Sequence, residues 1–463
     1  MLDRIELSMN VAIIGTGYVG LTTGACLAYL GHKVSCVDAD PAKVESLCKG
    51  VTPFHEPYLN EIIQEAHPNL NFTTDYARAI PPAEVIFIAV GTPPSPTGAP
   101  DLKYLESAAR GIGTHLGDHF TVIVNKSTVP IGSGNWVDSL VREAFEKRNG
   151  SKPKNGSFSV ASNPEFLREG SALHDSLYAD RIVVGTDHPK TAEVMYTLYR
   201  PIIEQSFQAP RYLPRPSSTA AVPLISTDLA SAELIKYAAN AFLSLKISYI
   251  NEIGNLAEKV GADVTQVAKG IGLDARIGNR FLQAGIGWGG SCFGKDTSAL
   301  IATAKEYGLD MPIVRAAKEV NSRQRDRVVE KLLGELKILK GRTVALMGLA
   351  FKPDTDDLRD APAVDIAKRL IERGARVRAH DPVAMDRFRK EHPDLDIALF
   401  ESPADAAYDC DAIVITTEWP DFRELEWDRV AKAMHTPVLL DGRNLLDRAR
   451  MTKAGFRYLT LAS

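Results

Sequence analysis

A strand, a glycine turn, a helix and a second strand follow one another near the start of the chain, and this order constrains the fold more than any other feature. The apolar run Asn10–Ile14 leads into GTGYVG, and a helix over Leu21–Leu30 is predicted next. A strand over Lys33–Val37 then ends in Asp38, roughly 20 positions after the first glycine. The pattern indicates a dinucleotide-binding Rossmann unit, with pyrophosphate at the helix N-terminus and the acid on the adenosine ribose.

The acid at the end of this strand also favours one cofactor. The carboxylate of Asp38 would repel a 2′-phosphate, so the sequence predicts NAD rather than NADP. Lys43 lies close enough in sequence to reach the same ribose or a phosphate. A solvated helix lysine is the alternative interpretation of Lys43.

A second glycine-rich stretch, Gly285–Asp296 (GIGWGGSCFGKD), suits a place where the backbone must approach a ligand closely. A helix is predicted over Thr297–Tyr307, with Asp296 or Thr297 as its cap. Cys292 would then lie just before a helix N-terminus and near Lys295, and both features favour the nucleophilic thiolate. The alternative, a buried cysteine in a glycine-rich turn, is equally compatible with this stretch alone.

Further strands are predicted over Glu84–Val90 and Phe120–Asn125, and each runs into a loop. Ligands of a doubly wound sheet lie beyond the carboxyl ends of its strands, so Thr92, Ser127 and Thr128 are candidate cofactor neighbours. Ordinary loop capping is the alternative for each of them.

The segment NPEFLREG follows a predicted strand over Phe158–Ala161. Its two acids, Glu165 and Glu169, would share one face if the segment were helical. Another strand is predicted over Arg181–Gly185, and the first domain is expected to close near residue 212, where RYLPRPSS breaks the pattern.

Residues 226–260 keep a helical repeat of apolar positions, which predicts one helix long enough to link two domains and to present a face to a second subunit. Lys236 and Asn240 stand four apart on one face of it. A lysine on a mostly apolar helix is costly without a partner or a task, so a functional role is favoured for Lys236.

The strand–helix alternation restarts at Arg342–Met347, but this second Rossmann-like unit lacks GxGxxG. Lys352, Arg359 and Arg443 occupy its predicted strand-end loops, and such cations suit a nucleotide diphosphate. The predicted fold class is therefore α/β, with two Rossmann-like doubly wound domains joined by a long central helix.

Composition excludes several functions. A formal net charge of −4 argues against nucleic-acid or anionic-membrane binding, and no apolar run reaches transmembrane length. The five cysteines are scattered without C-x-x-C, which predicts no disulfide framework and a reducing cytoplasm as the setting. The ten histidines show no ligand spacing, so no metal site is predicted.

The motifs, in their order along the chain, resemble the nucleotide-sugar dehydrogenases of the UDP-glucose/GDP-mannose dehydrogenase family. The resemblance covers essentially the whole chain and rests on these segments: GTGYVG, VGTPP, KSTVP, NPEFLREG, ELIKYAANAFLSLKISYINEI, GNRFLQAGIGWGGSCFGKD, LAFKPDTDDLRDAP and DGRN. It implies an NAD-binding domain (1–212), an all-α dimerisation domain with the cysteine loop (213–325) and a UDP-sugar-binding domain (326–463), in a homodimer formed through the central helix.

The resemblance also implies residue roles. Cys292 matches the nucleophile, and Lys236 and Asn240 match the residues that stabilise oxyanions and hold the sugar. Residues matching those that assist proton transfer, position water or orient the lysine are Glu165, Thr128 and Asp296. Residues matching NAD neighbours are Gly15, Gly17, Tyr18, Val19, Gly20, Asp38, Lys43, Thr92, Thr128, Glu169, Lys295 and Arg359. Residues matching substrate contacts are Glu165, Phe166, Leu167, Arg168, Glu169, Lys236, Asn240, Arg276, Phe281, Gln283, Ala284, Gly285, Gly289, Phe351, Lys352 and Arg443.

Arg276 matches an arginine that reaches the neighbouring subunit's site in some members. Two departures from the family pattern touch no reacting group: Trp288 stands where Tyr or Phe is usual, and Gly294 where Pro or Gln is usual.

The implied activity is the four-electron oxidation of UDP-glucose to UDP-glucuronate through a Cys292 thiohemiacetal and thioester. The same chemistry on GDP-mannose or a UDP-N-acetylhexosamine is the nearest alternative. A two-electron hydroxyacid dehydrogenase with a structural Cys292 is a third hypothesis, and a nucleotide-binding sensor without turnover is a fourth. The joint presence of Lys236, Asn240 and Cys292 speaks against the last two.

Overall fold

The computed structural model describes residues 8–95 and 98–461, and these fall into two units, Met1–Ala238 and Ala239–Ser463. The first seven residues of the predicted NAD-binding domain and the last two of the predicted UDP-sugar domain lie outside the described residues.

The first unit is built on an eight-stranded sheet in the order β3-β2-β1-β4-β5-β6-β7-β8. Its strands are β1 (Asn10–Ile14), β2 (Lys33–Val37), β3 (Leu70–Thr73), β4 (Val85–Ile88), β5 (Thr121–Asn125), β6 (Phe158–Ser162), β7 (Ile182–Gly185) and β8 (Leu224–Thr227). All neighbours pair in parallel except β6 and β7, which are antiparallel. Since β8 joins this sheet, the sheet continues past residue 212, and the three-domain division stays a prediction.

Helices cover both faces of this sheet, as its buried apolar strands require. They are α1 (Tyr18–Tyr29), α2 (Pro41–Cys48), α3 (Leu59–Ala66), α4 (Tyr76–Ala79), α5 (Lys103–His115), α6 (Ser133–Asn149), α7 (Ala172–Leu177) and α8 (Pro189–Ile203), with a 3-10 turn at His67–Asn69. The long helix α9 (Leu229–Val260) begins in this unit and ends in the second, so the predicted continuous helix is confirmed.

The second unit repeats the same topology without a glycine fingerprint. Its six-stranded sheet has the order β11-β10-β9-β12-β13-β14, and every pair is parallel. The strands are β9 (Thr343–Met347), β10 (Arg376–His380), β11 (Ile397–Leu399), β12 (Ala412–Ile415), β13 (Val438–Asp441) and β14 (Arg457–Thr460). The first six strands of the other sheet follow the same order, which confirms the predicted fold class of two Rossmann-like sheets.

The remaining helices of the second unit precede its sheet or pack on it. They are α10 (Val264–Gly272), α11 (Phe293–Glu306), α12 (Pro312–Leu336), α13 (Pro362–Glu372), α14 (Met385–Glu391), α15 (Pro403–Ala407), α16 (Trp427–Ala433) and α17 (Arg448–Lys453), with a 3-10 turn at Pro420–Arg423. In the described part of the chain, none of the helices is both long and apolar enough to cross a membrane.

One local prediction, the start of α11, was wrong. Helix α11 begins at Phe293, with Cys292 as its N-cap residue, and not after Asp296 or Thr297. The hydroxyl of Thr297 donates back to the carbonyl of Phe293 inside the helix, and the Asp296 carboxylate binds other side chains, so neither caps it.

The segment around Glu165 and Glu169 is a loop, so helical spacing does not place the two acids on one face. Pro164 disfavours a helical conformation at the residue before it. The Glu165 carboxylate moreover accepts a hydrogen bond from the backbone N–H of Leu167, 2.9 Å away, which closes a local turn.

Candidate functional site

The glycine turn between β1 and α1 combines tight packing with one open position. A Cβ atom on Gly20 would lie 1.9 Å from the carbonyl oxygen of Gly15, so a side chain there is excluded by the backbone itself. A Cβ on Gly17 would meet nothing within 4 Å, which leaves space beside the turn. Gly17 is the N-cap of α1, and none of the described side chains caps this helix. Open space at uncapped amides of a helix N-terminus fits a pyrophosphate, and hence a dinucleotide.

Asp38 stands at the end of β2 and is held by two neighbours. Its Oδ2 accepts hydrogen bonds from the Thr16 hydroxyl at 2.6 Å and the Lys43 ammonium at 2.8 Å. Burial alone would raise the pKa of Asp38, but the bonds from Lys43 and Thr16 outweigh it and lower the pKa to about 2. The alternative of a merely solvated Lys43 is wrong, because its side chain is bound to Asp38.

The hydroxyls at the strand ends of the first sheet donate hydrogen bonds to backbone carbonyls. The Thr92 hydroxyl donates to the carbonyl of Thr128 at 2.9 Å, and that of Ser127 donates to the carbonyl of Val90 at 2.7 Å. The loop-capping alternative therefore describes Thr92 and Ser127, and contacts to a cofactor from Thr92 and Thr128 stay predictions.

Lys236 and Glu165 form a buried ion pair in the first unit. The Lys236 Nζ lies 2.8 Å from Glu165 Oε1 and 2.7 Å from the Glu165 carbonyl oxygen. The two side chains are 5% and 7% exposed, so the pair is almost fully shielded from solvent. The partner that a lysine on an apolar helix requires is therefore Glu165, and the pair joins two of the three residues of this unit with predicted catalytic roles.

Lys126 belongs to the same cluster, although sequence reasoning did not single it out as a site residue. Its Nζ donates to Asn163 Oδ1 at 3.0 Å, and the Tyr199 hydroxyl donates to the same oxygen at 2.6 Å. Burial lowers the pKa of Lys126 to about 8, Glu165 opposes the shift and Lys236 adds to it. The signal available in the sequence was the place of Lys126 directly after β5 in KSTVP.

The other predicted substrate contacts of this loop have structural partners. The guanidinium of Arg168 pairs with Asp175 through two hydrogen bonds, at 2.9 and 2.6 Å. The ring of Phe166 lies under Arg181, 3.7 Å from the guanidinium carbon, and Glu169 is buried. Leu167 contributes its backbone N–H to Glu165.

In the second unit, residues 284–290 form what we call the strap, which is fastened along both edges. On one edge, Asn251 Oδ1 accepts the N–H of Gly285 and Asn321 Oδ1 accepts the N–H of Trp288, each at 2.7 Å. The indole N–H of Trp288 donates to the Ser248 hydroxyl at 3.1 Å. Ser248 and Asn251 belong to α9 and Asn321 to α12, and none of the three was predicted as a site residue.

The other edge of the strap lies against the strand-end loops of the second sheet. The N–H of Ile286 donates to the carbonyl of Gly442 at 2.9 Å, and Asn444 donates to the carbonyl of Ala284 at 2.9 Å. Arg443 donates to the carbonyls of Gly287, Thr416 and Phe351. The side chain of Ile286 is fully buried in the core of the unit, so the strap is part of the fold that leads to the cysteine.

Cys292 stands at the end of this stretch, as the N-cap residue of α11 and partly exposed. Its sulfur lies 3.6 Å from the Ser291 hydroxyl. Cys26, Cys36 and Cys410 are buried instead, and burial raises the pKa of each thiol, to about 12, 12 and 11. Cys48 is exposed as well, but it is the last residue of α2. Accessibility together with a helix N-terminus, which favours an anion, makes Cys292 the candidate nucleophile.

Asp296 connects α11 to α9 inside the second unit. It is fully buried, and its carboxylate accepts from the Asn240 amide at 2.6 Å and from the Lys295 ammonium at 2.5 Å. Asn240 and Lys295, predicted for substrate and cofactor respectively, are thus oriented by one carboxylate.

The remaining predicted cations and neighbours lie in loops of the second unit. Arg359 binds Asp357 through its guanidinium, and Lys352 lies 5.2 Å from the ring centre of Phe351. Arg276 pairs with Asp274 while its side chain stays 89% exposed. Phe281 packs edge-on against Phe293, whereas Gln283 is exposed and Gly289 is buried. Across residues 8–95 and 98–461, no group of three His, Cys, Asp or Glu side chains is placed to hold a metal ion.

Comparisons with known proteins cover the whole chain. Models of the UDP-glucose/GDP-mannose dehydrogenase family match as its NAD binding domain at residues 9–203, its central domain at 230–323 and its UDP binding domain at 345–448. The chain is 46% identical to the UDP-glucose 6-dehydrogenase TuaD of Bacillus subtilis, over 97% of this chain and 92% of that protein.

Two solved structures are similar over nearly their full length. A UDP-glucose dehydrogenase from the hyperthermophilic archaeon Pyrobaculum islandicum superposes with a TM-score of 0.88 at 37% identity, covering 100% of this chain and 99% of that one. A UDP-D-ManNAc dehydrogenase from Pyrococcus horikoshii superposes with a TM-score of 0.81 at 26% identity, covering 98% and 99%.

Proposed function

We propose a function for this chain from one premise: the chain belongs to the UDP-glucose/GDP-mannose dehydrogenase family. It is an NAD-dependent UDP-glucose 6-dehydrogenase, which oxidises UDP-glucose to UDP-glucuronate. The observation that carries this proposal is Cys292, accessible at the N-terminus of α11. Oxidation of the aldehyde to a carboxylate needs a tetrahedral adduct that can donate the second hydride, and an accessible thiolate supplies one by adding to the aldehyde.

NAD would be held in the first unit by the turn Gly15–Gly20, with Asp38 at the adenosine ribose. When bound, it supplies the acceptor for one hydride per oxidation, so two molecules serve each UDP-glucose. The closely packed turn and the uncapped amides of α1 support this placement. Lys43, Thr92, Thr128, Glu169, Lys295 and Arg359 are proposed as further neighbours.

The residues of the chain then divide the chemistry as follows. Glu165 accepts the proton of the C6 hydroxyl as the alcohol becomes an aldehyde. The Cys292 thiolate adds to the aldehyde carbon, which forms a C–S bond and places negative charge on the oxygen. Lys236 and Asn240 stabilise that oxyanion, and removing one such donor commonly costs about 10²–10³ in rate.

The second oxidation converts the thiohemiacetal to a thioester, which water must hydrolyse. After Glu165 has released its first proton to solvent, it takes a proton from that water, whose oxygen bonds to the thioester carbon; the C–S bond then breaks, and Cys292 leaves as the thiolate. Thr128 positions water, while Asp296 orients Lys295 and Asn240 through the two hydrogen bonds it accepts. Lys352, Arg443 and the strap bind the UDP part, because cationic side chains and backbone groups suit a diphosphate.

The stoichiometry of the reaction tests this function. The purified protein is incubated with NAD and UDP-glucose, GDP-mannose or a UDP-N-acetylhexosamine, and the NADH formed per sugar consumed is measured. Two NADH per UDP-glucose is the expected result. One per sugar indicates a two-electron dehydrogenase, none indicates a binding protein, and preference for another sugar nucleotide moves the chain to another branch of the family.

The Cys292→Ser variant sharpens this test, with the exposed Cys48→Ser as its control. The control should retain full activity. Acid formation by Cys292→Ser should fall by on the order of 10³-fold or more, the scale on which loss of a nucleophile is felt. An unchanged yield of acid would remove Cys292 from its assigned role.

The assembly and setting are also proposed. Phe242, Tyr249 and Leu256 recur every seven residues on α9 and are 61%, 50% and 59% exposed, an apolar stripe that a second copy would cover. We propose a homodimer through this helix, the three domains 1–212, 213–325 and 326–463, and the cytoplasm as the compartment, since it supplies NAD and keeps thiols reduced.

A further inference from the structure

Glu233 is buried on α9, one turn before Lys236, and was not among the predicted site residues. Its side chain is directed at the start of α6, where Oε2 accepts the N–H of Gly132 at 2.7 Å and Oε1 accepts the N–H of Gly134 at 3.0 Å. Helix α6 has Gly132 as its N-cap residue, and Gly132 has no side chain to supply the cap. The carboxylate of another helix therefore satisfies the first amides of α6.

Burying the Glu233 carboxylate costs free energy of folding, which indicates that this carboxylate has a role. Burial raises the pKa of Glu233 to about 7, and the hydrogen bonds from Gly132 and Gly134 oppose the shift. An apolar residue at this helix position would avoid the desolvation of a carboxylate, as its fully buried neighbour Ala232 does.

The two segments that Glu233 joins both carry predicted catalytic groups. Helix α6 follows the loop after β5, which contains Thr128, and α9 carries Lys236. The start of α9 is also pressed against the end of β7, because a Cβ on Gly185 would lie 2.5 Å from the Cβ of Ala232. With one end of α9 fixed there, Glu233 sets the rotation of the next turn, from which Lys236 reaches Glu165.

We propose that Glu233 is a positioning residue for catalysis: it locks α9 to the loop of Thr128, so that Lys236 and Thr128 keep a fixed relation to Glu165. This inference rests on the proposed function. It assigns Glu233 no contact with substrate or cofactor. Reacting groups displaced by about 1 Å can cost up to about 10² in rate, whereas binding by groups elsewhere on the substrate is retained.

The test is Glu233→Gln, compared with Glu146→Gln near the exposed end of α6. The amide keeps the shape of the side chain, but its NH2 group cannot accept the second N–H of α6. The kcat for NADH formation from UDP-glucose should fall about 10-fold, while KM for UDP-glucose and KM for NAD change less than about 2-fold. Glu233→Asp, which keeps both acceptor oxygens, should recover part of the lost kcat, and Glu146→Gln should match the parent protein.

The folded fraction of each variant is measured by near-UV circular dichroism at the assay temperature. A kcat of Glu233→Gln that is unchanged, or that falls only in proportion to the folded fraction, overturns the proposal. If Glu233→Gln does not fold, Gly134→Ala decides, since its methyl group would lie 3.1 Å from the side chain of Leu229, closer than ordinary contact, and would press α6 away from α9. A lower kcat with unchanged KM then supports the proposal and an unchanged kcat overturns it, whereas a parent protein inactive on UDP-glucose contradicts the proposed function instead.

Discussion

Asp38 illustrates at the residue scale how one carboxylate can serve both stability and cofactor choice. It accepts three hydrogen bonds at Oδ2, from the N–H and hydroxyl of Thr16 and from Lys43. These donors hold it ionised, with a pKa of about 2 against an ordinary value of 3.8. Because the folded pKa is lowered, ionised Asp38 stabilises the fold fully above pH 3.8, and this contribution is lost as pH falls towards 2.

Asp38→Asn should therefore lower the free energy of unfolding by about 2 kcal/mol at pH 7, from about 1.4 kcal/mol per pKa unit. The difference from the parent protein should shrink as pH falls from about 4 towards 2. Urea unfolding at several pH values, followed by circular dichroism, measures both. The exposed Asp187→Asn is the matched control, and a difference independent of pH would contradict the assigned ion pair.

The same variant should weaken the preference for NAD over NADP, because a negative charge that repels a 2′-phosphate is gone. Two charges about 4 Å apart near a protein surface interact by about 4 kcal/mol, so a change of roughly 10–10² in relative kcat/KM is expected. Steady-state kinetics with both cofactors measure this ratio. An unchanged ratio would mean that Asp38 does not face the ribose.

At the scale of elements, the structure shows a second reason for the glycines of the strap. The sequence suggested backbone close to a ligand, and in the structure the same backbone lies close to protein. Gly287 has φ of +93°, and a Cβ there would lie 2.4 Å from Asn321 Oδ1. This oxygen also accepts the hydrogen bond from the N–H of Trp288. Gly287 is therefore required for the hydrogen bond that holds the strap just before Cys292.

Gly287→Ala should destabilise the second unit by about 2–4 kcal/mol, combining left-handed strain with the displaced hydrogen bond of Asn321. Activity should fall as well, since Cys292 is held at the end of the strap. Gly334→Ala is the control: it lies within α12 with nothing within 4 Å of an added Cβ. It should stabilise by about 0.5–1 kcal/mol. Urea unfolding of both variants measures these effects, and a loss below about 0.5 kcal/mol for Gly287→Ala would contradict them.

The elements that sequence predicted well are those with a strong local signal. Strands such as β1 and β2 are apolar runs next to turn residues, and α9 carries a long periodic pattern. The short strands β3 and β11 were not predicted, since they are only four and three residues long and half-exposed. The start of α11 was misplaced because Asp296 resembles a cap but binds Asn240 and Lys295 instead.

The partners that complete the candidate site were beyond sequence reasoning for a physical reason. Glu165 and Lys236 are 71 positions apart, and Trp288 and Asn321 are 33 apart, so only the folded chain decides that they meet. Resemblance to a family identifies candidate reacting residues, but it does not identify the residues that hold them in place. Lys126 and Glu233 lie inside quoted motifs but received no role there, and Asn321 lies outside those motifs; all three become visible through burial and hydrogen bonding.

At the scale of the whole molecule, the exposed stripe Phe242, Tyr249 and Leu256 is the strongest indication of a second subunit. Single exposed apolar residues are ordinary on protein surfaces, but three large ones at heptad spacing lie along one face of α9. A stable interface needs about 1,200–2,000 Å² of buried surface with apolar anchors at its centre. The apolar stripe on α9 can supply those anchors.

The double variant Phe242→Lys with Tyr249→Lys should therefore convert the proposed dimer to a monomer at micromolar concentration, because each ammonium would be desolvated in the interface. Light scattering coupled to size exclusion measures the mass. Tyr408→Lys, at a side chain 64% exposed in the second unit, is the matched control and should leave the dimer intact.

The monomer should also lose activity if Arg276 serves a neighbouring subunit, since the side chain of Arg276 is 89% exposed. A double variant that remains dimeric would place the interface elsewhere, and one that is monomeric with full activity would confine each site to a single chain.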